Sequence, residues 1–167
     1  MMDDIETLIG KPSLQLAAWI GSADMIRELV ASGLDPNARG QDGLLPLHCA
    51  VISQKVDAMK ALLECGAAVD GPDEFGRAPL HCAAQYCSGD PIKVLIDHGA
   101  STEATEGRGR TPLHYAVLAS NIAAIKLLIR NGADVQARDR ASKTPSEFAW
   151  LSSNPAVVSL FNTGNAK

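Results

Sequence analysis

Aromatic side chains are scarce in this sequence, at 4% of residues, and no apolar run approaches the ~18 residues that cross a membrane. The first shortage excludes a core built on large rings. Hydrophobic residues still make up 46% of the chain, with Ala and Leu carrying most of that mass, which predicts closely packed helices. The second shortage leaves no membrane span. The chain also lacks any CxxC pair. Its cysteines are Cys49, Cys65, Cys82 and Cys87, and the five-residue step between the last two is no common zinc spacing. They read as reduced thiols used as small apolar residues. A basic excess is missing too: the net charge is −4 and the pI about 5.5. Proteins that bind nucleic acid through its phosphates usually carry such an excess. The amino-terminal Met1-Met2-Asp3-Asp4-Ile5-Glu6 is acidic and no apolar run follows it. It reads as neither secretory signal nor transit peptide, so the expected location is cytoplasmic.

What the sequence does have is a repeat. Leu45-Pro46-Leu47-His48 returns as Ala78-Pro79-Leu80-His81 and again as Thr111-Pro112-Leu113-His114, each step being 33 residues. Thr144-Pro145-Ser146-Glu147 is a degraded fourth copy. Ala17, Ala50, Ala83, Ala116 and Ala149 keep the same beat. So do Gly33, Gly66, Gly99 and Gly132; Gly43, Gly76 and Gly109; and Leu29, Leu62, Leu95 and Leu128, with Phe161 in the next slot. Several registers sharing one period mark a stacked-repeat architecture, in which each unit buries its apolar face only against its neighbours.

The residues predict the unit. Each proline suits the first turn of a helix, where its missing N–H costs nothing. The alanine that follows lets two helices approach closely. A second helix follows, for example Ile122 to Arg130, with Ile125, Leu128 and Ile129 on one face. Gly132 then ends it in the left-handed conformation.

With period 33 and Thr111-Pro112-Leu113-His114-Tyr115-Ala116 in full, followed by Asn131-Gly132-Ala133-Asp134-Val135, the pattern resembles the ankyrin repeat over about residues 10 to 165. The resemblance implies an all-α solenoid of about five helix-turn-helix units joined by hairpin-like loops, with atypical capping units at both ends. The expected division is a lead at 1–9, a capping repeat at 10–39, repeats at 40–72, 73–105 and 106–138, and a capping repeat with tail at 139–167. An extra helical turn is expected within residues 1 to 8 and a frayed end from Asn162 onward.

Candidate chemistry is thin. His48, His81 and His114 recur at a spacing that sets equivalent side chains roughly 8–10 Å apart, too far to share one metal at about 2 Å each. The resemblance assigns them hydrogen bonds between loops. His98 sits at a helix end, where a partly positive ring suits the dipole. Cys49 and Cys82, one step apart, are expected beyond the roughly 7 Å reach of a disulfide. Cys87, near the end of a first helix, is expected to be exposed. Glu106-Gly107-Arg108-Gly109-Arg110 lacks the strand and lysine of a phosphate loop. Asp73, Glu106 and Asp139 occupy a loop slot that turn chemistry explains. No nucleophile–base–acid set is apparent, and neither a metal nor a cofactor is expected.

The resemblance implies binding through loop tips and the concave face of the first helices. Residues read into that face are Trp19, Ile20, Leu44, Ile52, Phe75, Arg77, Gln85, Tyr86, Arg108, Arg110, Leu118, Arg140 and Lys143. The large apolar groups lie toward the amino-terminal and middle units, and the cations form a band toward the carboxyl-terminal ones. Trp, Tyr and Arg are the side chains most often found as interface hot spots. The expected function is a non-catalytic module that binds and inhibits or regulates one partner protein, which offers an apolar anchor and an acidic patch. An immunity-type protein that neutralises a toxin is the alternative form of this reading; nucleic-acid binding through the basic band is a weaker one. The free chain is expected to be a monomer.

Overall fold

Proline opens the first helix of a unit at Pro46, Pro79, Pro112 and Pro145, and glycine closes the second helix at Gly33, Gly66, Gly99 and Gly132. The computed structural model describes residues 13–151 and 154–162; the expected turn within residues 1–8 lies outside them, and so does the end expected to fray from Asn162 onward, except Asn162 itself, which is the last residue of a helix. Among the described residues there are ten helices and no strand. They are α1 Leu14–Ile20, α2 Ala23–Ala31, α3 Pro46–Ile52, α4 Val56–Glu64, α5 Pro79–Tyr86, α6 Asp90–Asp97, α7 Pro112–Leu118, α8 Ile122–Arg130, α9 Pro145–Leu151 and α10 Pro155–Asn162.

Helices pack by kind. α1, α3, α5, α7 and α9 form one layer, each touching the next, and α2, α4, α6, α8 and α10 form the other. The alanines at 17, 50, 83, 116 and 149 are all fully buried where the layers meet. Around them Leu62, Leu95, Leu128, Met59, Ile92 and Ile125 fill a core that runs the length of the stack. The helices are only 7 to 9 residues long, too short to be stable alone. Their stability comes from this stacking.

Four of the second helices, α2, α4, α6 and α8, stop in one way. Gly33, Gly66, Gly99 and Gly132 have φ between 86° and 100°, and the N–H beyond each reaches back to the leucine register: Leu34 to Leu29, Ala67 to Leu62, Ala100 to Leu95, Ala133 to Leu128, at 2.9–3.1 Å. This is the six-to-one closure of a Schellman end.

One turn departs from the pattern. Gly21, Gln54 and Ser120 take left-handed φ between first and second helix. Cys87 holds the same slot yet is extended, at φ −113°. α5 runs one residue further than α3 or α7, and Gly89, at φ 75° and ψ −105°, makes the turn instead. Cys87 is thereby drawn inward to 1% exposure, correcting the expectation that it is exposed.

Candidate functional site

The loops between units are braced by three ladders of side chain to backbone. In the first, Nε2 of His48, His81 and His114 faces the carbonyl of Arg77, Arg110 and Lys143 at 2.8, 2.9 and 3.0 Å. A carbonyl only accepts, so Nε2 carries the proton. Nδ1 then accepts, from the N–H of Ala78 in His81 and of Thr111 in His114. Burial holds all three rings below the ordinary imidazole pKa and keeps them neutral. In the fifth unit Glu147 takes the histidine slot. No further loop follows it among the described residues, and its carboxylate caps α9 instead, accepting from the N–H of Thr144 at 2.8 Å while Thr144 Oγ1 accepts from the N–H of Glu147.

In the second ladder Asn37, Asp70 and Glu103 each accept from a backbone N–H 31 residues on, at Ala68, Ser101 and Asp134. The third lies inside the tips. Asp73 Oδ1 accepts from Phe75 and Arg77, Asp139 Oδ1 from Ala141 and Lys143, and Glu106 Oε1 from Arg110. Consecutive tips are tied as well, Gly107 N–H to the Phe75 carbonyl and Arg140 N–H to the Arg108 carbonyl. Bonds thus link the tips that carry Phe75, Arg108 and Arg140 in a row.

The thirteen candidate residues divide on this frame. Trp19, Ile20, Tyr86 and Leu118 are about half exposed on the first helices, and Phe75 is 61% exposed at the third tip. Arg108, Arg140 and Lys143 are exposed; among the described residues Arg108 and Arg140 have no ion pair, whereas Lys143 lies 3.8 Å from Glu147. Gln85 is partly buried, with its Oε1 enclosed and unpartnered. The remaining four depart from the expected open face. Leu44 and Ile52 pack against the core. Arg77 is only 18% exposed and pairs with the buried Asp73, and Arg110 reaches Asp139 at 3.4 Å. The cationic band thus thins to its outer members.

Leu16, Trp150 and Leu151, which the sequence reading did not name, are also more than half exposed. Trp150 shares its register with Ala18, Val51, Ala84 and Val117, which are fully buried. Its bulk in a slot of small residues was the available signal.

One cluster brings ligand-type atoms together: His48, Asp73 and Cys82 lie buried with these atoms within 4.8 Å of one another. The donors do not suit a cation. Both Asp73 oxygens are taken, one by the Arg77 guanidinium, and a metal ion would sit beside that positive group. Burial pushes the Cys82 thiol up to about 12, far from the thiolate a metal needs. Burial likewise pushes Cys49 and Cys87 up to about 11, and the Cys87 thiol donates to the Val51 carbonyl at 3.2 Å.

An open groove of about 410 Å³ lies between the third and fourth tips and the first-helix layer, lined by Phe75, Arg77, Glu106, Gly107, Arg108 and Tyr115. Charge changes sign there. Residues 1–105 hold fifteen acidic and seven basic side chains; residues 106–167 hold four acidic and eight basic.

A family model of ankyrin repeats in three copies matches residues 14–106, and a single ankyrin-repeat model matches residues 108–140. A stretch of 53 residues is 36% identical to an ankyrin repeat-containing protein of Schizosaccharomyces pombe, covering 32% of this chain and 26% of that protein. The chain matches about a quarter of that relative's length.

Proposed function

The chain belongs to the ankyrin-repeat family, and on that premise we propose that it is a non-catalytic module that grips one partner protein by its loop tips and first-helix layer, and inhibits or regulates it. Ankyrin repeats are in general modules through which proteins bind proteins. One observation carries the reading for this chain. In a sequence poor in aromatics, Trp19, Phe75 and Tyr86 stand half or more exposed on the tips and first helices, held by a braced scaffold rather than a mobile loop. Large rings offered to solvent on a rigid surface cost little entropy when a partner covers them. No helix of the described residues is long and apolar enough to cross a membrane, which agrees with a partner met in solution.

Photocrosslinking from inside that face tests the proposal. With Tyr86 replaced by benzoylphenylalanine, illumination in the source lysate should give one dominant protein adduct, lost when Trp19→Ala and Ile20→Ala are added. Adducts equally strong from the exposed Lys60 of α4, on the opposite layer, would count against it.

A further inference from the structure

Resting on the protein-binding reading, we infer that the groove between the third and fourth tips receives a bulky apolar side chain from an acidic stretch of the partner, whose carboxylates lie over Arg108 and Arg140. The apolar wall is built in advance. Phe75 is 61% exposed, yet its ring lies under the Arg77 guanidinium at 5.1 Å. That guanidinium is fixed in turn by Asp73 at 2.7 Å. Tyr115 also lines the groove, its ring packed T-shaped against His81 at 5.3 Å between centroids. Glu106 lines the groove but is buried, with a carboxylate oxygen turned to the Arg110 N–H. Gly107 leaves the mouth open: a side chain there would meet only the Phe75 carbonyl oxygen, at 3.5 Å.

Charge then fixes the occupant and its direction. Equivalent tip positions read Gln41-Asp42, Glu74-Phe75, Gly107-Arg108 and Arg140-Ala141. The row is acidic before the groove and cationic after it. The Arg108 carbonyl and Arg140 N–H are bonded at 2.9 Å, which joins the two tips bearing these cations directly. A segment with carboxylates on both sides of its anchor would meet Glu74. A segment with carboxylates on one side, toward the fifth unit, meets the tip cations Arg108 and Arg140 and stays clear of Glu74. A nucleic-acid strand carries its phosphates evenly and would have to cross the acidic half.

Random linear peptides displayed on phage and selected on the immobilised full chain provide the test. Selected sequences should join Asp or Glu residues to one Phe, Trp or Leu. A labelled selected peptide, followed by fluorescence anisotropy, should bind about tenfold or more weakly to Phe75→Ala and to Arg108→Glu/Arg140→Glu, as expected for loss of an anchor. Added salt should weaken it further. Melting curves of both variants should match the parent, since these side chains are exposed. Selected peptides without acidic bias, acidic peptides indifferent to both variants, or displacement by single-stranded DNA would each overturn the inference. Peptides that depend on Trp19 and Tyr86 instead would overturn the groove alone and leave the wider reading standing. Repeated selections without enrichment would also overturn it, while crosslinking at Tyr86 decides the wider reading separately.

Discussion

Arg77 holds Asp73 through an ion pair of 2.7 Å in which the carboxylate side chain is wholly buried. One repeat on, Arg110 does not turn back to Glu106 in the same way but reaches forward to Asp139, at 3.4 Å. The first pair closes a tip on itself, and the second ties two tips together. Each arginine also lies 5.1 Å from an aromatic centroid, Phe75 and Phe148 respectively.

Removing Arg77 should therefore cost stability. Arg77→Ala leaves a buried carboxylate with backbone N–H groups alone, and losing one partner of such a pair costs about 3 kcal/mol. Arg108→Ala, at an exposed site without an ion pair, should stay within about 0.5 kcal/mol. Urea unfolding of the two variants separates them. Equal midpoints would mean that the Arg77 pair braces nothing.

A core contrast checks the stack itself. Leu128 is fully buried in the leucine register, whereas Trp150 is 61% exposed. Leu128→Ala should destabilise by about 2–5 kcal/mol. Trp150→Ala removes a larger side chain but should cost less than about 1 kcal/mol. A reversed order in chemical unfolding would refute the assignment of which registers face inward.

The helix starts at Pro46, Pro79, Pro112 and Pro145 were legible because proline, alanine and glycine act locally and recur in every unit. The tips were legible only in part. Asp73 and Arg77 are four apart, and so are Glu106 and Arg110, yet only the first two pair. Spacing along one loop does not show where the next loop places its carboxylate. Leu44 shares the register of Arg77 and Arg110, which gave it an exposed look, but an aliphatic chain there gains by folding onto the core. Cys87 shares the turn slot of Gln54 and Ser120. The hint that its turn differs was local: Gly89, followed by Pro91 in the first turn of α6, moves the bend two residues on.

Thiol labelling distinguishes the buried cysteines from the accessible one. Cys49, Cys82 and Cys87 are buried with thiols pushed up to about 11, 12 and 11, so few thiolates form at neutral pH. Cys65, at the end of α4, is partly exposed. N-ethylmaleimide on the native protein should modify Cys65 first, and the other three only on unfolding. Peptide mapping that found Cys87 modified at the rate of Cys65 would contradict the inward turn of α5.

The histidine ladder predicts how stability follows pH. Burial makes the charged ring costly in the folded state, so His48, His81 and His114 have folded pKa values below the ordinary ~6.5. As pH falls through about 6.5, the unfolded chain takes up protons that the folded chain refuses. Stability is then full above that pH and declines below it, by up to about 1.4 kcal/mol per pH unit for each histidine, until the folded rings also titrate. Asp139 adds a separate step. Burial opposes its charge, but the N–H groups of Lys143 and Ala141 and the Arg110 guanidinium outweigh it, holding the carboxyl below its usual range. That contribution is present above the ordinary carboxylate pKa of about 4 and is lost only below it. Urea unfolding from about pH 8 to pH 5 should show the histidine slope alone, and His114→Gln should flatten it by roughly a third, one ring of three. A profile level across that range would mean that the rings take up protons in the folded state without losing their bonds to the next loop.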